Sequence, residues 1–92
     1  ADVLPGAAAA LGVRVDRGDL PTDPLGLTSA LAGARRVAVL LIDGLGADLV
    51  RQHADLAPTL AALASPVGDL SAPCPSTTPV SLVSLGTGLP PG

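Results

Sequence analysis

The stretch VAVLLIDG, residues 37–44, decides the fold class. Its six leading residues are all apolar and rich in β-branched side chains, and Asp43-Gly44 closes the run. A short run that is apolar on both faces predicts a central strand of a parallel sheet, covered on each side by helices. The expected class is therefore α/β.

Working outward, PGAAAALG at 5–12 predicts a short helix opened by Pro5 and stopped by Gly12. Residues 14–27 mix charges with Pro and Gly without a period, as in a loop or extended arm. Residues 28–36 suggest a helical turn or two. Beyond the turn Asp43-Gly-Leu-Gly46, residues 47–53 and 58–64 carry helical spacing, the second segment opened by Pro58. Residues 67–71 (VGDLS) form a candidate second strand. A strand, crossover helices and a strand make one βαβ unit, but two strands cannot build the covered sheet that residues 37–42 demand. The 92 residues are thus expected to be the N-terminal fragment of a single α/β domain, with a helix and arm over 1–34 and the first βαβ unit over 35–92.

Composition narrows the function. The chain has no Phe, Trp or Tyr, so its core must come from Leu, Val, Ile and Ala, yet at 48% hydrophobic it is too apolar for disorder. All eight acids are Asp and all five bases are Arg, for a net charge of −3. With no basic cluster beyond Arg35-Arg36, bulk electrostatics argue against nucleic acid and anionic membranes as partners. Cys74 stands alone, which excludes an intrachain disulfide and any Cys-rich zinc motif. The chain opens without a basic stretch leading into an apolar segment, and the longest apolar run is far too short to span a bilayer. A soluble cytoplasmic protein is expected.

Two places carry chemistry. Asp43 follows the central strand, at the carboxyl edge where open α/β sheets place their sites. Its carboxylate suits a divalent metal, while a turn aspartate capping the next helix is an equally good local reading. Thr78 precedes Pro79 and is a natural N-cap, with its hydroxyl at the positive end of a helix. Capping alone is the simpler role for a Thr-Pro pair. A threonine hydroxyl becomes a nucleophile only when deprotonated, which metal coordination can achieve, and helix amides can receive a developing phosphoryl anion.

Taken together, VAVLLIDGLG (37–46), APTLAALA (57–64) and PSTTPVSLVSLGTGLPPG (75–92) resemble the type I phosphodiesterase/nucleotide pyrophosphatase family of the alkaline phosphatase superfamily, over roughly the last 55 residues. The resemblance implies the N-terminal part of a three-layer αβα fold with a mainly parallel sheet. It implies a hydrolase of phosphodiester or pyrophosphate bonds with two divalent metal ions, zinc by family pattern. The substrate would be a small phosphate ester such as a nucleotide, and the remainder of the fold would be the chain's other partner. Asp43 matches the aspartate that ligates one metal. Thr78 matches the threonine that binds the same metal and attacks phosphorus; its nine-residue distance from Thr87 favours it over Thr77, the fallback.

Departures from the pattern are local. Pro79 follows the nucleophile directly, and Val80-Ser81 stands where the family often has a phosphate-binding Asn, leaving Ser81 or the Thr78 amide for that role. The single His53 reads as a surface or helix-end residue. Cys74-Pro-Ser-Thr-Thr lacks the Pro and Arg of a sulfatase signature, so Cys74 is expected to be small, partly buried and without catalytic role. The glycines of 43–46 lack the third Gly of a dinucleotide fingerprint, with Leu49 in its place. The rival from another class is a non-catalytic α/β fragment in which Thr78 only caps a helix.

Overall fold

The computed structural model describes residues 1–64 and 70–91. Five helices appear in order: α1 (Val3–Ala10), α2 (Leu27–Ala30), α3 (Ala47–Gln52), α4 (Pro58–Ala64) and α5 (Thr78–Thr87). The chain divides into two units, one of residues 1–40 with 72–92, the other of residues 41–71. No described helix is long and apolar enough to cross a membrane.

The first unit is built on α1, which packs against both α2 and α5. Pro5 lies in the first turn of α1, where its missing N–H would have no helical acceptor anyway. Its ring is fully buried. The helix begins two residues before the expected start because Asp2, not the residue before Pro5, takes the N-cap place. It closes as Gly12 predicts: the Gly12 amide donates to the Ala9 carbonyl and the Val13 amide to the Ala8 carbonyl, both at 2.9 Å, the paired bonds of a Schellman motif. Gly6 lets α2 approach closely. A Cβ there would stand 2.8 Å from an Asp23 carboxylate oxygen and 3.1 Å from Leu27 Cδ1.

Asp23 organises the start of α2. Its Oδ1 accepts from the Leu27 amide at 2.8 Å and its Oδ2 from the Thr28 amide at 2.7 Å. Hydrogen bonds from Thr28, its hydroxyl first and its amide second, hold the Asp23 carboxyl below the ordinary aspartate range, against the opposing effect of desolvation. The helix makes one turn, within the turn or two expected over 28–36, beginning one residue earlier at Leu27 and ending at Ala30.

In the second unit α3 packs on α4. No residue of either helix is buried. Asp48 in the first turn of α3 accepts from Arg51 in the last at 2.9 Å, each charge at the helix end it favours.

The α/β expectation is not met among the described residues, which form helices and no strand. Residues 37–42 lie outside helix and pair with nothing in a sheet, and Leu40 is 82% exposed. A strand exists only through its partners' hydrogen bonds, and no other described segment supplies them. The second strand expected at 67–71 falls on residues 67–69, outside the described residues, while Leu70 and Ser71 are not in a strand.

Candidate active site

The segment before α5 turns tightly. The Cys74–Pro75 peptide is cis, and the Thr77 amide donates to the Pro75 carbonyl at 2.9 Å. Cys74 is exposed rather than partly buried, because the turn around Pro75 leaves it outside any helix packing. Thr77 then takes extended dihedrals (φ −117°, ψ 150°) and its carbonyl accepts from the Ser81 amide at 2.9 Å, the first bond of α5. The N-cap is therefore Thr77, and Thr78 is the first helical residue. This corrects the expectation that Thr78 itself caps. The Thr77 side chain makes no capping bond. Thr78 is exposed, and Ser81 lies half-buried one turn into the helix.

At its far end α5 stops at Gly88, with φ +70°, a conformation that glycine adopts without strain. Gly88 donates its amide to Ser84, and the Ser84 hydroxyl donates to the Leu89 carbonyl at 2.8 Å. Thus α5 presents Thr78 at its amide-rich end, whose peptide dipoles favour an anion.

Asp43 belongs to the other unit. It is exposed at the turn between residues 37–42 and α3, where Gly44 takes φ +72°. The N-cap of α3 is Gly46, with no side-chain capping bond, so Asp43 does not hold the capping place that one local reading gave it. His53 ends α3 as its exposed C-cap residue, in keeping with a helix-end role.

A metal can be tested against these residues by donor chemistry. A carboxylate and a hydroxyl are oxygen donors of the right kind for a divalent cation. Among the described residues no three His, Cys or Asp side chains gather, whereas a catalytic zinc site ordinarily takes three protein ligands. The donors fit in type and fall short in number.

The profile of the type I phosphodiesterase / nucleotide pyrophosphatase family matches residues 37–92. The chain belongs to this family. No match was found among curated proteins or solved structures. Membership brings a hydrolase ancestry and an alkaline-phosphatase-like fold, and the matched range contains Asp43, Thr77, Thr78 and Ser81.

Residues 1–36 lie outside that match, yet they hold a residue that sequence reasoning passed over. Arg17, within the loop between α1 and α2, is 6% exposed and hydrogen bonds to α5 through Gly88. Its only sequence signal is an arginine placed between apolar Val15 and a Gly18 turn, which does not reveal a partner 71 positions away.

Proposed function

We propose that the chain is the N-terminal part of a metal-dependent hydrolase of phosphodiester or pyrophosphate bonds, with the Thr78 hydroxyl as nucleophile. The observation that carries this reading is the family match spanning both Asp43 and Thr78. The placement of Thr78 at the first position of a ten-residue helix supports it, since a phosphoryl anion gains there from the helix dipole. Asp43 offers its carboxylate to one of two divalent cations, zinc by family pattern, and further donors come from outside these residues. When bound, such a cation would lower the hydroxyl pKa and offset charge on the phosphoryl oxygens.

In the reaction, Thr78 Oγ1 bonds to phosphorus as its proton departs, and the P–O bond to the leaving group breaks with that oxygen taking a proton. Water then attacks the phosphothreonine, the Oγ1–P bond breaks, and the hydroxyl is restored. Ser81 or the Thr78 amide would orient the phosphate. The substrate class is a small phosphate ester, a nucleotide included, and the single thiol suits the cytoplasm. In the complete fold residues 37–42 would take a central strand position. Val39, Leu40, Leu41 and Ile42, all exposed in this chain, would then be covered by the remaining strands and helices.

The test is hydrolysis of bis-p-nitrophenyl phosphate by the complete protein. Thr78→Ala should lower kcat by at least about a thousandfold, as loss of a nucleophile does. Full activity in that variant would overturn the assignment, and a comparable loss in Thr77→Ala alone would move the nucleophile one residue back. The 92 residues by themselves should not turn over.

A further inference from the structure

The last turn of α5 is held from outside the family-matched region. The Arg17 guanidinium, its side chain only 2% exposed, donates from Nε to the Gly88 carbonyl at 2.8 Å and from Nη2 to Asp2 Oδ1 at 2.6 Å. Its Nη1 donates to the Pro21 carbonyl. One side chain thus ties the C-terminal end of α5 to the N-cap of α1 and to the following loop. The geometry is favourable on charge as well, since a cation at a helix C-terminus meets the negative end of the dipole. Gly88 itself sits so close to the buried Pro5 that a Cβ there would lie 2.6 Å from the proline Cγ.

We infer that Arg17 is a positioning residue for the reaction: by fixing the far end of α5 it sets where the Thr78 hydroxyl stands. This rests on Thr78 being the nucleophile. The ten residues of α5 span roughly 15 Å, and a tilt of about 5° at the clamped end carries the other end by roughly 1 Å. A misplacement of that size costs about a hundredfold in a positioned reaction. Residues 1–36 then have a role that the family match does not include: they brace the helix that carries the chemistry.

The experiment compares Arg17→Met, Arg17→Lys and Asp2→Asn with the unaltered complete protein, by steady-state kinetics on bis-p-nitrophenyl phosphate and by amide hydrogen exchange. Arg17→Met should lower kcat at least about tenfold with KM within about twofold. It should also speed exchange in the last turn of α5 at least about tenfold while leaving α3 and α4 unchanged. Arg17→Lys keeps the charge but not the planar fork and should fall between. Asp2→Asn keeps an acceptor and removes its charge, and should give the mildest change in the same direction. Should Arg17→Met fail to fold, the other two variants decide: graded losses in both readouts support the role, and kcat unchanged in both overturns it. Lower kcat with unchanged exchange in α5 also overturns it. An active Thr78→Ala overturns the nucleophile reading and this inference with it, whereas an inactive Thr78→Ala beside an unimpaired Arg17→Met overturns this inference alone.

Discussion

The two units hold themselves together by different means. In the first, glycines let side chains pack against bare backbone and a buried arginine joins the Gly88 carbonyl at the end of α5 to the Asp2 carboxylate at the start of α1, so Pro5, Gly6, Ala7, Arg17, Ser84 and Gly88 are buried with few large apolar side chains among them. In the second, α3 and α4 bury none of their residues, and Leu56 and Leu63 remain 77% and 67% exposed. Without aromatic residues, side chains seated closely on glycine backbone give the first unit its interior, and such an interior tolerates added atoms poorly. The second unit, with its apolar surface still open, should be indifferent to small changes.

The sharpest way to break that contrast is at Gly88. Alanine there would carry a left-handed backbone costing roughly 1–2 kcal/mol and would press a methyl against Pro5 for about 1–3 kcal/mol more. A loss of roughly 3 kcal/mol in urea denaturation is expected for Gly88→Ala, against only the backbone cost of roughly 1–2 kcal/mol for the same substitution at Gly44, where a Cβ has open space around it. Equal effects at the two glycines would show that conformation alone, and not the packing of α5 on α1, accounts for Gly88.

How much of this was legible depends on the range of the interactions. Local features could be read: α4 runs over 58–64 as its pattern suggests, α3 ends one residue early, and Gly12 stops α1. Asp43 and Thr78 could be singled out because order and spacing along the chain, Asp-Gly after an apolar run and a Thr-Pro nine residues before Thr87, are themselves sequence properties. The strand at 37–42 could not be secured by composition, because a strand is completed by partners and the described residues supply none. Arg17 was hidden for a related reason. Two of its three acceptors are backbone carbonyls, which every residue possesses and no sequence pattern marks.

A smaller effect should follow from pH, and again in the first unit. Because the folded pKa of Asp23 is depressed, its contribution is present above the unfolded aspartate value of about 3.9 and is lost as pH falls through the lower folded value. Asp23→Asn, which cannot ionise, should lie below the parent in stability near neutrality and approach it at the acid end. A constant gap between the two from neutral pH to about pH 2.5 would mean that the carboxylate charge contributes nothing to starting α2.

The smallest effect belongs to the second unit. Arg51 and Asp48 sit one turn apart with side chains 56% and 88% exposed, so solvent and salt screen their attraction. Asp48→Ala should therefore change stability by no more than about 0.5 kcal/mol, and that difference should shrink further in molar salt. A loss approaching that of Gly88→Ala would mean that α3 depends on its own end charges more than on anything it packs against. The contrast between the units would then be one of electrostatics rather than packing, and raising salt should weaken the second unit more than the Arg17-centred interior of the first, since a pair with one partner buried is screened less than two exposed charges.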